Sequence, residues 1–180
     1  MILDATAANR TIWRSKQHEN IVYLDMEKKL ELKPTIYADN TNSPFLDKTF
    51  NEVFYDPPHA YGVHTGRHVF PSKQAASDIG VDPDSVSIYY GWDKYKNQSE
   101  LIHHVYNAQK EFQRILKDDG LLFLKWNEVC IGIGTIMSLF DDWKELMRIL
   151  VDSKAHPAGT RNTYWIMMAK NIKKEVQATL

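Results

Sequence analysis

The segment VFYDPPHAYG, residues 53–62, begins as an apolar run and stops at an acid, two prolines and a histidine. Proline removes a hydrogen bond from a β-ladder and is confined to strand ends and edges. Asp56 is therefore predicted to follow a strand directly, on a rigid turn. Three earlier apolar segments, ILD, IVYLD and TIYAD, stop in the same way at Asp4, Asp25 and Asp39. We predict four strands that each end at an aspartate.

Helical periodicity accompanies these strands. QSELIHHVYNAQKEFQRILKDDG carries an apolar stripe at helical spacing and is predicted to form a helix that ends at Gly120. TIWRSKQH and IGTIMSLFDDW are predicted as helices, LLFLKW and NTYWIMMAK as strands, and KELMRILVD fits either. Strands that alternate with helices predict an α/β fold, with a mostly parallel sheet covered by helices on both faces.

The carboxyl ends of parallel strands meet at one edge of a sheet, where ligands bind in such folds. The four aspartates are therefore expected to converge there. An acid that ends the second strand can accept hydrogen bonds from both hydroxyls of a ribose, which suits Asp25. Asp39 and Asn40 are placed to meet the exocyclic amine of an adenine. Each of them is equally common as a turn or capping residue, so this alternative stays open.

The turn after the first predicted strand, DATAANR, contains no glycine. Ala5, Ala7 and Ala8 are small, but alanine does not freely adopt positive φ. A diphosphate cofactor approaches its helix N-terminus closely and depends on G-x-G-x-x-G. The sequence therefore favours a cofactor that has ribose and adenine but no phosphate.

These segments resemble the class I S-adenosylmethionine (SAM)-dependent methyltransferases. ILDATAANRTIW is similar to their first motif, VYLDME to the acidic second strand, YADNTNSPF to the adenine-contacting turn, and YDPPH to the [DN]-P-P-[YFWH] tetrad of amino-group methyltransferases. EFQRILKDDGLLFLKWNE is similar to the helix and fifth strand of that family. In motif order the chain most resembles small prokaryotic and phage-type DNA methyltransferase-like proteins that combine DPPH with a later K-W-[NS]-E.

The resemblance implies a Rossmann-like methyltransferase fold and SAM as the cofactor. It implies two sets of site residues, a cofactor set (Asp4, Ala5, Thr6, Ala8, Asp25, Met26, Asp39, Asn40) and a catalytic tetrad (Asp56, Pro57, Pro58, His59). The Asp56 carboxylate and the Pro57 carbonyl would accept hydrogen bonds from the two N–H groups of an amine, which directs its lone pair at the methyl group. His59 would stack on the substrate ring.

The methyl acceptor is less determined. An exocyclic amine of a DNA or RNA base is the leading expectation, and the segment of about residues 62–86, which contains Arg67 and Lys73, is expected to form a loop on the substrate side. A small-molecule or protein methyltransferase of the same fold, or a catalytically silent binding subunit, remains an alternative. His59, His64 and His68 are too loosely spaced to favour a metal site, and none is predicted.

Composition adds bounds. At 180 residues and 43% hydrophobic, the chain is expected to form a single domain over residues 1–180. A formal net charge of −1 gives no general attraction for nucleic acid, although a local basic patch is compatible with it. One cysteine, no long apolar run and no basic-then-apolar N-terminus favour a cytoplasmic protein without a membrane segment. The sequence does not indicate an oligomeric state.

Overall fold

The computed structural model describes residues 1–61, 94–151 and 162–171. These form one sheet of seven strands in the order β3-β2-β1-β4-β5-β7-β6. The strands are β1 (Ile2–Asp4), β2 (Ile21–Asp25), β3 (Ile36–Tyr37), β4 (Phe50–Tyr55), β5 (Leu116–Asn127), β6 (Trp143–Val151) and β7 (Thr163–Lys170), and the helices are α1 (Gln98–Ile115) and α2 (Ile133–Met137). The predicted Rossmann-like α/β fold is confirmed. The predicted substrate-side loop lies outside the described residues, and the single domain stays a prediction.

The sheet is parallel from β3 to β5 and antiparallel at its other end. β1 pairs in parallel with β2 and with β4, and β4 pairs in parallel with β5. β7 runs antiparallel between β5 and β6. The chain moves outward from β1 to β3 and then returns to the other side of β1 with β4. Such a switch in strand order opens a crevice at the carboxyl ends of the strands, where ligands bind in open α/β sheets.

Helix α1 packs on the sheet through the stripe that the sequence predicted. Leu101, Val105, Ala108, Phe112 and Ile115 are fully buried, and the Phe112 ring meets the Tyr55 ring edge to face, with centroids 4.9 Å apart. The helix begins at an N-cap: the Asn97 side chain accepts from the Glu100 backbone N–H at 3.0 Å, and the Glu100 side chain accepts from the Lys96 N–H at 2.9 Å. This helix therefore covers one face of β4 and β5, next to the tetrad that follows β4.

The end of α1 is earlier than predicted. The helix stops at Ile115, not near Gly120, because Leu116 already has extended backbone and pairs with Phe50 on β4. The register then jumps, since the next pair is Glu52 with Leu121. The four residues between Leu116 and Leu121 are the polar KDDG, which therefore form an irregular start of β5.

Two further predictions are corrected or completed by the structure. The helix predicted for IGTIMSLFDDW is confined to the five residues of α2, and Trp143 already begins β6. KELMRILVD, which fitted either state, forms most of β6, an edge strand whose side chains after Trp143 are exposed. No helix in the described ranges is long and apolar enough to cross a membrane.

The short helix predicted for TIWRSKQH is wrong, because residues 11–18 form turns. Side chains take the backbone carbonyls that a helical ladder would use. Arg10 donates to the Lys16 carbonyl at 2.5 Å, and the Lys16 ammonium donates to the carbonyls of Arg10 and Trp13 at 2.8 and 2.9 Å. Trp13 itself turns inward and meets Phe54 edge to face at 4.8 Å. The β1–β2 connection thus covers β4 with an aromatic side chain from a turn.

Candidate active site

A cavity of about 470 Å³ opens at the carboxyl ends of β1, β2, β3 and β4. Its walls come from the turns after these strands and from the segment that leads into α1 and α1 itself. Nine of the twelve residues that the sequence singled out line it: Ala5, Thr6, Ala8, Asp25, Met26, Asp39, Asn40, Asp56 and Pro58. Asp4, Pro57 and His59 do not line it and lie behind its wall.

The turn after β1 has the shape that usually requires glycine. Ala8 adopts φ 41° and Arg10 φ 57°, both in the left-handed region that costs a residue with a β-carbon about 1–2 kcal/mol. A hydrogen bond holds the strained turn in place, because the Ala8 N–H donates to Asp25 Oδ2 at 2.8 Å. The Ala7 N–H donates to the Leu24 carbonyl at 3.0 Å. The turn is therefore held against the end of β2, and alanine occupies a position where glycine is usual.

Asp25 and Asn40 are anchored at the end of the cavity formed by β2 and β3. Asp25 also accepts from the Glu27 N–H at 2.8 Å, so both of its oxygens are held while keeping lone pairs for a ligand. The Asn40 amide donates to the Ala5 carbonyl at 2.9 Å. Its Oδ1 is buried and has no hydrogen-bond partner within the described part of the chain. An acceptor without a donor at the wall of a cavity fits a ligand that brings an N–H or O–H group.

Asp39 and Met26 complete this end. Asp39 accepts from the backbone N–H and the hydroxyl of Thr41, both at 2.8 Å, which orients its carboxylate at the turn after β3. Met26 exposes 56% of its surface although it is a large apolar residue. A cavity lined by both a carboxylate and an exposed apolar side chain suits a ligand with a flat ring and polar edges. The residues present therefore fit an adenosine-containing cofactor.

Asp56 and Pro58 are the tetrad residues that line the other end of the cavity, and Asp56 is tied to the β1 turn. The Asp56 N–H donates to Thr6 Oγ1 at 2.8 Å, which joins the first motif to the tetrad. Asp56 Oδ2 accepts from the Lys125 ammonium at 2.7 Å. Asp56 Oδ1 faces His59 Nε2 at 3.1 Å. Burial alone would raise the pKa of Asp56, but the hydrogen bonds and positive charges of His59 and Lys125 outweigh it and hold this pKa below its usual value.

His59 is buried, with its ring edge to face against Trp126 at 5.2 Å between centroids. Trp126 is fully buried, and its indole N–H donates to the Ile131 carbonyl at 2.9 Å. Trp165 on β7 is only partly buried, and its ring centroid lies 6.1 Å from that of Phe54. The alternation of strand side chains explains both, because Trp126 shares the face of β5 that α1 covers. Stacking of His59 on a substrate stays a prediction.

Asp4 lies under the site as a buried carboxyl group. It accepts from the Trp13 indole N–H at 2.7 Å and from the Thr6 N–H at 3.3 Å. Burial raises the pKa of Asp4 to about 7, and the negative charges of Asp56 and Asp25 act in the same direction. When Asp4 is protonated, it no longer repels the Asp56 carboxylate.

Sequence reasoning missed several residues of the site. Tyr95 and His104 line the cavity near Asp39, with their rings 5.2 Å apart. Burial lowers the pKa of His104 to about 4, so it is neutral at pH 7. Lys125 belongs to the K-W-N-E segment already noted for its resemblance, so a signal for it existed. His104 lies within the sequence of α1, where no local pattern marks it as a site residue. It reaches the cavity because α1 packs against this part of the sheet.

The described residues contain no group of three or more His, Cys, Asp or Glu that could hold a metal ion. His64 and His68, which entered the metal alternative, lie outside the described ranges, as do Arg67 and Lys73.

Solved structures share this fold at low sequence identity. The PH0226 protein from Pyrococcus horikoshii OT3 superposes with a TM-score of 0.57 at 10% identity, over 94% of this chain and 81% of its own. A SAM-dependent methyltransferase from Leishmania major gives a TM-score of 0.49 at 10% identity, over 93% of this chain and 63% of its own. No protein-family model and no curated protein matches the chain. At this identity the first likeness shows the fold, and function has to be argued from the site.

Proposed function

We propose that this chain binds SAM and transfers its methyl group to an amino nitrogen, and that the acceptor is an exocyclic amine of a DNA or RNA base. One observation supports the proposal above the others. A single cavity joins Asp25, Asp39 and Asn40 at one end with Asp56 and Pro58 at the other. Its volume of about 470 Å³ lies within the range of small-molecule sites.

The cofactor end would hold the nucleoside part of SAM. Asp25 would accept from the ribose hydroxyls, and Asp39 and Asn40 Oδ1 from the adenine amine, with Met26 against the ring. When bound, SAM supplies a methyl group that is already activated by its positively charged sulfur. The protein's task is then to position the acceptor nitrogen and to stabilise developing charge.

The tetrad would perform that positioning. Asp56 is held by Thr6 and Lys125, and two prolines restrict the backbone that follows it, so its carboxylate is rigid before the acceptor arrives. A rigid acceptor can take an N–H of the amine and turn its lone pair toward the methyl group. A base in a duplex would have to be unstacked to reach Asp56, which favours single-stranded or flipped-out positions.

Calorimetry with SAM and with S-adenosylhomocysteine tests the cofactor, and transfer of labelled methyl groups to DNA, RNA, protein fractions and small amines tests the acceptor. We expect binding of both cofactor forms, and labelling of single-stranded nucleic acid that weakens as salt concentration rises. Absence of binding under varied conditions would leave a silent binding module of this fold. Labelling that is confined to small molecules or protein would remove the nucleic-acid proposal.

Asp56→Ala separates the two ends of the cavity. It is expected to abolish methyl transfer and to leave cofactor affinity nearly unchanged, because Asp56 faces the acceptor. Asp119→Ala, an exposed aspartate outside the cavity, is the matched control and should alter neither. Loss of both affinity and transfer in Asp56→Ala would instead indicate a structural role.

A further inference from the structure

We propose that Lys125 makes the acceptor end of the cavity selective for neutral, planar amino groups and excludes alkylammonium ions. The inference rests on the proposed function and names its substrate class. It assigns to Lys125, a residue of the sheet and not of the tetrad, the control of which amines Asp56 can accept.

The position of Lys125 is set by the sheet. Tyr55 and Leu124 are paired in the β4–β5 register, so Asp56 and Lys125, the next residue on each chain, lie side by side where the strands leave their ladder. Their charged atoms are 2.7 Å apart, and the Lys125 side chain is 25% exposed against 9% for Asp56. Asp56 lines the cavity and Lys125 does not, so Lys125 acts on an entering group through its ion pair with Asp56.

An unpaired buried carboxylate would attract a cation, because a charge without a partner in a low dielectric is costly. Asp56 is not such a group, since Lys125 already supplies its counter-ion. An alkylammonium that entered would bring a second positive charge close to Lys125, and like charges repel strongly when they are partly desolvated. A neutral amine meets no such repulsion.

One lone pair remains for that amine. Asp56 Oδ1 is buried and lies 3.1 Å from His59 Nε2, and because a carboxylate oxygen carries two lone pairs, it can accept a second donor. It needs an N–H donor without a full charge, and an exocyclic amine on a conjugated ring supplies one.

The protonation state of the acceptor nitrogen gives an independent argument. An alkylammonium such as a lysine side chain, with a pKa of about 10.4, has no lone pair until a base removes a proton. Asp56 is a poor base because its pKa is held low. An exocyclic ring amine is neutral near pH 7 and needs no base: its nitrogen lone pair forms the N–C bond while the C–S bond breaks with its electron pair on sulfur. One N–H proton then leaves to water.

The test compares Lys125→Met, which keeps length and loses charge, with Lys125→Arg, which keeps charge. Labelled methyl transfer is measured to a single-stranded DNA oligonucleotide and to a lysine-rich peptide. The wild type should label the oligonucleotide alone. Lys125→Met should label it about tenfold less or worse, as expected when a charge-assisted hydrogen bond is lost, and Lys125→Arg should restore most of the rate. Calorimetric binding of SAM should be unchanged in all three.

The pH profile distinguishes this role from a structural one. The charged groups that face Asp56 are His59 on the following turn, Lys125 on β5 and Asp4 on β1. Activity needs ionised Asp56 and is lost as pH falls through its pKa. Removing the Lys125 charge should raise that pKa and move the acidic limb of the profile to higher pH, whereas a folding defect would lower the rate at every pH.

Labelling of the peptide as well as the oligonucleotide by the wild type, or an acidic limb that does not move in Lys125→Met, would overturn the inference and leave the proposed function intact. Absence of SAM binding would instead overturn the proposed function. The inference is then still decided by two readouts without turnover: the carbon NMR titration of the Asp56 carboxyl, and binding of n-butylammonium. Lys125→Met should raise the pKa that the Asp56 carboxyl shows in the titration, and it should bind n-butylammonium, which the wild type should not. A variant that matches the wild type in both refutes the role of Lys125.

Discussion

At the scale of the residue, Asp25 carries the strongest single prediction about the cofactor. It is held by the N–H groups of Ala8 and Glu27 and lines the cavity at the end of β2. Asp25→Ala is expected to weaken SAM binding by about 1.5–3 kcal/mol, the usual contribution of a hydrogen bond to a charged group. Calorimetry measures it. Glu31→Ala, at an exposed acid outside the cavity, is the control, and equal affinities in the two variants would exclude Asp25 from the site.

Ala8 offers a second prediction at this scale, one of increased stability. Its φ of 41° is costly for alanine and free for glycine. Ala8→Gly should therefore raise the free energy of unfolding by about 0.5–1 kcal/mol, once the extra entropy of glycine in the unfolded chain is subtracted. Urea unfolding measures the change. Ala108→Gly, inside α1, should show the opposite sign, because glycine weakens a helix interior. Destabilisation at both positions would contradict the strain at Ala8.

The sequence predicted which carboxylates lie at the site, but it did not predict which residues contact them. An acid after an apolar run is a local pattern, so Asp4, Asp25, Asp39 and Asp56 could be assigned to strand ends. The pair between Asp56 and Lys125 spans 69 residues of sequence, and no local pattern encodes it. The orientation of His59 toward Trp126 depends in the same way on which face of β5 the helix covers.

At the scale of the element, the irregular start of β5 shows why Gly120 lies where it does. A β-carbon at Gly120 would be 2.8 Å from Leu116 Cδ2 and 3.0 Å from the Asn51 carbonyl oxygen. Gly120→Ala should therefore destabilise the fold by about 1–3 kcal/mol, the usual cost of overpacking.

Gly134→Ala is the matched control for this change. A β-carbon at Gly134 meets nothing within 4 Å, and the residue lies inside α2. Alanine there should be neutral or stabilising by up to about 1 kcal/mol. Both variants are compared by urea unfolding. A loss of stability at Gly134 as large as that at Gly120 would show that the packing around Gly120 is not the cause.

Helices and strands were predicted well where burial produces a regular pattern of apolar residues. They were predicted poorly where a few tertiary contacts determine the backbone conformation. The stripe of α1 and the apolar runs of β2, β4 and β7 are packing patterns that the sequence displays directly. Residues 11–18 became turns because Arg10 and Lys16 bind backbone carbonyls and Trp13 binds Asp4. α1 ended early because Leu116 pairs with a strand that lies far away in sequence. Both outcomes depend on tertiary contacts that override helix propensity.

At the scale of the whole molecule, the buried Asp4 couples stability to pH. The pKa of Asp4 is raised from 3.8 to about 7 in the folded protein, chiefly by burial. Between these values the folded state binds more protons than the unfolded state, so this group makes stability fall as pH rises through that window. Above it, the native structure contains an ionised buried carboxylate.

Asp4→Asn tests this coupling because it removes the charge and keeps an oxygen for the Trp13 indole. The melting temperature of the variant relative to the wild type should be higher at about pH 8 than at about pH 5. Differential scanning fluorimetry over that range measures the difference. Asp141→Asn, at an exposed aspartate, should give a difference that does not vary with pH. A pH-independent difference for Asp4→Asn would show that Asp4 does not titrate in this window.

The strand order β5-β7-β6 also constrains how the chain can fold while it is being made. Synthesis proceeds from the N-terminus, so β6 leaves the ribosome before β7, yet β6 reaches the sheet only through β7. Until residues 163–170 have emerged, the apolar edge of β5 has no neighbour and β6 has nothing to pair with. β7 then has to pair with β5 on one side and with β6 on the other. The antiparallel end of this sheet is therefore completed only after those residues are free of the ribosome, and nascent chains halted before residue 163 should be the form most exposed to aggregation.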